Sequence, residues 1–282
     1  MQSFDYPALK RGFNRSADSY QTAARLSNLT GEQLLERLQY IKCEPKRILD
    51  LGAGVGTFSA RLAKRYPKAE IVACDLAEAR MQIAKRHKPW FSKIRFCTAT
   101  MQQLPFTRAS FDMIFSNQCL YWTPDLKQAT LEMARVLKPD GVLLFSSLGP
   151  DTLQEVRTRF AAFNTAPHIN IFLDMHDVGD AILAAGFRDP VMDIERLRLA
   201  YPDLRALINE LRATGERNYH PQRIRHLGRQ NTWAGLQADG DIQEISYEII
   251  YGHASGSQLR QQRDASSGEV RISLDALLRK PL

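Results

Sequence analysis

The run Arg47-Ile48-Leu49-Asp50-Leu51-Gly52-Ala53-Gly54-Val55-Gly56-Thr57-Phe58 constrains this chain more than any other stretch. A short apolar strand enters a turn with glycine at every second position. Phe58, Leu62 and Ala63 then mark one face of a helix that Pro67 ends. Gly52, Gly54 and Gly56 remove side chains where a ligand must approach the main chain, and the helix that follows presents unpaired N–H groups. Such a turn belongs at the first crossover of an open parallel sheet, whose ligand crevice lies at the carboxyl ends of the strands.

The same unit recurs. Glu70–Asp75 is a strand ending in a carboxylate, Ala77–Arg86 a helix, Ile94–Thr98 the third strand and Phe111–Ser116 the fourth. Leu126, Ala129, Met133, Val136 and Leu137 recur at helical spacing. Lys138-Pro139-Asp140-Gly141 makes a stop before a fifth strand over Val142–Ser146. Strands alternating with helices in this way predict a mostly parallel sheet covered on both faces. Ahead of it, residues 8–38 read as two or three helices. After Gly149 the rhythm loosens: helices are expected over Asp151–Phe163 and Asp177–Ala185, and strands over Val191–Leu199 and Tyr247–Tyr251. The organisation expected is one domain over 1–255: a helical lid at 1–45, a cofactor core at 46–148, and a substrate-side insertion with the final strands at 149–255. Residues 256–282, rich in Ser, Gln and Arg, read as a flexible tail.

The ligand class follows from what the turn lacks. A dinucleotide fingerprint wants a further glycine at position 57, where this chain has Thr57. Asp50, directly before the turn, suits a ligand with an ammonium and a cationic sulfur better than a pyrophosphate. Asp75 ends the second strand, and an ionised carboxylate has two acceptor oxygens for the two hydroxyls of a ribose. The end of the fourth strand, at Asn117, converges on the same place.

The 282-residue chain has a net charge of +7, which favours acidic partners. Arginines crowd the stretch from Arg188 to Arg229, but Asp and Glu are interleaved there, so a solvated helix surface and an anion-binding face stand about level. Cys43, Cys74, Cys97 and Cys119 form no C-x-x-C pair, so inert thiols are expected, with no metal site and no disulfide framework. No apolar run approaches the ~18 residues of a membrane span, and the start lacks a signal-peptide pattern; the expected location is the cytoplasm.

Residues 47–147 resemble the class I methyltransferases as a set: Asp50 to Phe58, Asp75, Leu104-Pro105-Phe106, Ser110-Phe111-Asp112 and Leu137-Lys138-Pro139-Asp140-Gly141. The resemblance implies a Rossmann-like α/β fold with a seven-stranded, mostly parallel sheet, its last two strands a hairpin, and S-adenosylmethionine as cofactor. It assigns the cofactor to Asp50, Gly52, Ala53, Gly54, Gly56, Asp75, Leu76, Asn117 and, at the adenine, Thr100 and Met101. Thr100 stands where that family often has a carboxylate.

Over nearly the whole chain the sequence is similar to the malonyl-[acyl-carrier protein] O-methyltransferase (BioC) family. The likeness rests on Phe13-Asn14-Arg15-Ser16-Ala17 leading to Tyr20, on Leu148 to Arg157, on Phe172 to Asp180, on Ala185 to Asp193 and on Tyr247 to Ala254. It implies methylation of the free carboxylate of a malonyl thioester, an early step towards pimelate and biotin, with malonyl-acyl-carrier protein as the acidic partner and no role for nucleic acid or membrane. It places Tyr20 against substrate and cofactor, and Arg157 and His168 on the malonyl group. Ser27 and Ser255 depart from that family's usual Gln and Trp. Two other readings remain: a carboxyl methyltransferase for a small free substrate, and a cofactor-binding assembly factor that transfers no methyl group.

Overall fold

The computed structural model describes residues 4–162, 166–223, 244–256, 262–263 and 270–271. Three helices come first, α1 (Tyr6–Arg15), α2 (Ala17–Ala23) and α3 (Arg25–Arg37). Asp5 starts α1, its carboxylate accepting the N–H of Ala8. The core follows as β1 (Arg47–Leu51), α4 (Thr57–Arg65), β2 (Glu70–Asp75), α5 (Glu78–Arg86), β3 (Ile94–Thr98), β4 (Phe111–Ser116), α6 (Leu126–Val136) and β5 (Leu137–Leu148). Then come α7 (Gln154–Ala161), α8 (Met175–Ala184), β6 (Arg188–Ala200), α9 (Leu204–Thr214) and β7 (Glu244–Ser255).

Seven strands form one sheet in the order β3-β2-β1-β4-β5-β7-β6. β7 is antiparallel to both neighbours, so β6 and β7 are the expected closing hairpin. Successive residues of each central strand point to opposite faces, and both faces are buried. Ile48, Ile71, Met113 and Leu144 join Leu34, Phe58 and Leu62 of α3 and α4 on one side. Leu49, Val72, Ile114 and Leu143 meet Met133 of α6 and Val178 and Ile182 of α8 on the other. This double burial is why β1, β2 and β4 read as continuous apolar runs. The strand order reverses between β1 and β4, and the crevice at their carboxyl ends is where the lid helices lie.

Four elements differ from expectation. The stop at Lys138–Gly141 lies inside β5: Leu137 pairs with Phe111 and Val142 with Met113, so the turn residues are accommodated as an irregularity in a longer strand. β6 and β7 also run longer, because each pairs with the other along its length. The charged segment after Asp203 forms α9, which buries Leu204 and Leu207 and is capped by Asp203 and by the left-handed Gly215.

Most described arginines of the basic stretch have acceptors: Arg196 with Asp151, Arg198 with Glu244, Arg223 with Asp5, and Arg188 with the carbonyl of Gly256. Arg225 and Arg229 lie outside the described residues. Within the segment expected as a tail, Gln262–Arg263 pairs antiparallel with Val270–Arg271. The rest of it beyond Gly256 lies outside the described residues. Among the described residues no helix is long and apolar enough to cross a membrane, and no group of three His, Cys, Asp or Glu is placed to hold a metal ion.

Candidate active site

The glycine turn takes its shape from positive φ angles at Gly52, Gly54 and Gly56. A side chain at Gly52 would collide with Cys119, its Cβ falling 2.4 Å from Sγ. At Gly54 a Cβ would meet the ring of Tyr20. The N–H groups of Gly52 and Ala53 donate to the carbonyl of Cys74, which ties the turn to the end of β2, and Gly56 caps α4.

Asp75 completes that tie. Its Oδ2 accepts the N–H of Gly54 at 2.9 Å and its Oδ1 that of Ala77 at 2.8 Å. Each oxygen keeps a further acceptor position, which is what two ribose hydroxyls require. Asp50 lies behind the turn, where its Oδ2 accepts the hydroxyl of Ser59 on α4. Burial pushes its pKa up to about 7, against the Ser59 hydrogen bond and with help from the charge of Asp75.

In front of the turn lies a cleft of about 590 Å³, counting the part open to solvent. Gly52, Asp75, Leu76, Met101, Asn117 and Tyr20 all line it. Thr100 lies beside it, paired with Gln103 in an isolated bridge, while Ala99, Met101 and Gln102 reach the cleft. Tyr6, from α1, borders the same end, and burial pushes its pKa up to about 12.

Asn117 is committed to the lid. Its Nδ2 donates to the carbonyl of Ser27, and its Oδ1 accepts the hydroxyls of Thr30 and Ser146. Ser27 also accepts the hydroxyl of Tyr20 at 3.1 Å. One amide thus fastens α3, and through Ser27 the tyrosine of α2, to the end of β4. Tyr20 itself is half-buried, and its desolvation pushes its pKa up to about 12 despite the opposing charge of Arg80.

Several site residues went unread in the sequence. Gln118 adopts a left-handed backbone at φ 54°, is 6 % exposed, and neither of its side-chain amide atoms has a partner. A buried, unpaired amide on a cleft wall points to a ligand. Arg80 is 5 % exposed and stacked between Phe13 and Tyr20. Its place on the face of α5 that also carries Ala77, Met81 and Ala84 was the available signal. Cys74 and Cys97 are directly opposed on β2 and β3, and a hydrogen bond from the Cys74 thiol lowers the pKa of Cys97.

A second cleft, of about 630 Å³, opens between the α2–α3 junction, the 166–172 loop, α9 and Tyr247. Leu26, Leu148, Leu153 and Phe172 give it an apolar lining; His168, Asn170 and Glu210 add polar groups. His168 stacks on Phe160, with ring centroids 4.3 Å apart, and burial lowers its pKa. Trp122 and Glu216 line both clefts. Glu216 is pushed up to about 7 by burial, against the charge of Arg80. Arg157 is exposed, outside both clefts, and donates to the carbonyl of Pro150.

Residues 49–145 match a family model described as a methyltransferase domain. The YcgJ protein of Bacillus subtilis has the same fold: TM-score 0.60 at 16% identity, covering 80% of this chain and 99% of that one. So does a putative methyltransferase of Bacillus halodurans, with TM-score 0.59 at 16% identity, covering 80% of this chain and all of the other. Two relatives named malonyl-[acyl-carrier protein] O-methyltransferase are each 38% identical. That of Legionella pneumophila matches over 90% of this chain and 93% of its own length, and that of Halorhodospira halophila over 99% and 97%. The first cleft fits their cofactor: a carboxylate with spare acceptor positions for the ribose, a glycine turn without side chains, and the unpaired amide of Gln118 for an amino-acid end. The chain belongs to the malonyl-[acyl-carrier protein] O-methyltransferase family of S-adenosylmethionine-dependent enzymes.

Proposed function

We propose that this protein methylates the free carboxylate of a malonyl thioester carried on acyl-carrier protein, in the cytoplasm and at the entry to pimelate and biotin synthesis. The observation that carries the reading is the shared wall. A cofactor cleft and an apolar acceptor cleft lie side by side, with Trp122 and Glu216 lining both, which sets an acceptor next to the methyl donor.

S-adenosylmethionine supplies the electrophilic methyl group. Asp75 holds the ribose, with Leu76 and Met101 flanking the adenine. The glycine turn and Gln118 receive the amino-acid end. Tyr20 closes over Gly54 and is held there by Ser27, which in turn is fixed by Asn117. The lid helices exclude water from the line of attack and orient the acceptor, the main demands of an in-line displacement. A carboxylate is ionised at neutral pH and is itself the nucleophile, so no side chain has to act as base. His168 and the apolar wall of the second cleft receive the thioester end.

The net charge of +7 supports an acidic protein as carrier. Mass spectrometry of malonyl-acyl-carrier protein after incubation with enzyme and cofactor tests the reading. One added methyl ester is expected, with a rate that falls as salt is added. Transfer to a free dicarboxylate but not to the carrier-bound malonyl group would overturn it.

A further inference from the structure

The cofactor cleft contains a buried cation that the steps above do not use. Arg80 projects from the apolar face of α5, with its guanidinium 4.3 Å from the ring centre of Phe13 and 4.2 Å from that of Tyr20. Nη2 donates to the carbonyl of Thr214 at 2.5 Å and to the hydroxyl of Ser16 at 3.3 Å. Nε is buried and has no hydrogen-bond partner. Among the described residues no carboxylate lies within ion-pairing distance of it. A guanidinium fixed on both faces and at one corner, with an N–H to spare, is a preorganised receptor for an oxyanion.

We propose that Arg80 is the group that takes the acceptor's carboxylate at the junction of the two clefts. This rests on the malonyl reading given above. A carboxylate that leaves water needs a charged partner, because an unpaired buried anion is very costly. Among the described lysines and arginines, only Arg25 and Arg80 line either cleft. Arg25 is exposed at the rim of the acceptor cleft, where it donates to the carbonyl of Ala200 and lies over Tyr201. Arg80 is inside, on the cofactor side, close enough to the shared Glu216 for its charge to oppose that group's raised pKa.

The chemistry gives the pairing a direction. The acceptor oxygen forms the new bond to the methyl carbon as the carbon–sulfur bond breaks, its electron pair staying on sulfur. The acceptor therefore loses its negative charge on becoming an ester. Arg80 attracts the substrate and loses its hold on the product, which favours release after transfer. The same contact selects a malonyl over an acetyl thioester, since only the former brings a carboxylate.

The test is Arg80→Met, a long flexible side chain that suits the slot between Phe13 and Tyr20, with Arg80→Lys as a second variant that keeps the charge. Thermal midpoint and cofactor affinity by calorimetry are measured beside KM and kcat on malonyl-acyl-carrier protein. Binding of malonyl-, malonyl-methyl-ester- and acetyl-carrier proteins is compared. R80M is expected to raise KM by about 10- to 100-fold, the scale for a lost charge-assisted contact. It should also abolish the preference for malonyl over acetyl, leave ester binding unchanged and alter cofactor affinity less than about threefold. R80K should fall between, and it decides the matter if R80M does not fold. Weakened cofactor binding with intact malonyl preference would overturn the proposal in favour of an anchor for the cofactor's own carboxylate. Unchanged values throughout would make Arg80 a structural cation. Wild-type enzyme that binds cofactor but leaves the malonyl carrier unmethylated would overturn the acceptor reading itself, a failure visible before any variant is made.

Discussion

The two clefts are built by opposite strategies. Short local stretches supply most of the cofactor cleft: the turn after β1, the end of β2, Ala99, Met101 and Gln102 after β3, and residues 117–119 after β4. Main-chain conformation makes much of it, through three left-handed glycines and a carboxylate that takes two backbone N–H groups. The acceptor cleft combines the lid run Ala23–Ser27 with His168–Asn170, α9 and Tyr247, and it forms where α9 packs against the lid through Ser16 and Ser19. A backbone-built site tolerates little change in its turn. A side-chain-built site is free to change its ligand while the fold stays the same.

The sharpest way to break that contrast is Gly52→Val. It forces a β-branched residue into a positive-φ position and drives its Cβ into Cys119. Backbone strain alone costs about 1–3 kcal/mol, and the collision adds to it. Cofactor binding is expected to vanish from calorimetry. A variant that still binds would show that side chains, not the turn, hold the cofactor.

Asp75→Ala comes next. With Asp75 in its proposed role at the ribose, loss of the charged hydrogen bonds is worth about 1–3 kcal/mol, a roughly 10- to 100-fold weaker cofactor complex. Gly54 and Ala77 lose their acceptor as well, so a lower thermal midpoint of the cofactor-free enzyme should accompany it. Unchanged affinity would place the ribose elsewhere.

Asn117→Ala tests the joint between the two regions. It leaves the buried hydroxyl of Ser146 without its acceptor, turns Thr30 back on the carbonyls of Leu26 and Ser27, and releases the lid from β4, at about 1–3 kcal/mol of stability. Faster exchange of α2 and α3 amides is expected by hydrogen exchange, with the sheet unaffected. Equal loss of protection in lid and sheet would mean the lid is not a separable unit.

Asp50 gives a pH signature confined to the cofactor side. Burial raises its pKa from 3.8 to about 7 in the folded protein, so the folded state holds a proton that the unfolded chain has released. Stability from this group is present in full at low pH and falls as pH rises through that window. Asp50→Asn removes the loss. The cofactor-free variant should gain stability over the wild type on the order of 1 kcal/mol at pH 8, and less at pH 4. Parallel pH–stability curves for the two proteins would exclude an uncharged Asp50.

The same contrast explains what could be read in the sequence. The turn, Asp75 and the strands around them are local patterns, since glycine spacing and apolar runs follow directly from backbone geometry and double burial. Gln118 escaped because nothing in a sequence marks an amide that lacks a partner. Arg80 and Glu216 escaped because a charged residue on a helix or beyond its cap reads as solvated until the facing element is known. The arginines of α9 suggested a solvated helix surface and hid its bounds and its buried face, although Leu204, Leu207 and Leu211 already stand at helical spacing behind Asp203. Asn117 was readable as a position but not as a role, because its partners Ser27, Thr30 and Ser146 come from distant segments.

The smallest effect expected is at Arg157, and it separates likeness in sequence from likeness in site. The side chain is exposed, reaches neither cleft and gives one hydrogen bond to the carbonyl of Pro150. Arg157→Ala should change stability by no more than about 0.5 kcal/mol, the usual range for a surface position. With no route to the acceptor's carboxylate, it should leave kcat and the preference for malonyl over acetyl untouched. Any remaining effect should be a modest, salt-sensitive rise in KM from losing one positive charge on a surface that meets an acidic carrier. A loss of malonyl preference in this variant would mean that α7 swings into the acceptor cleft on binding, and the division into a fixed cofactor side and an assembled acceptor side would then apply only to the free enzyme.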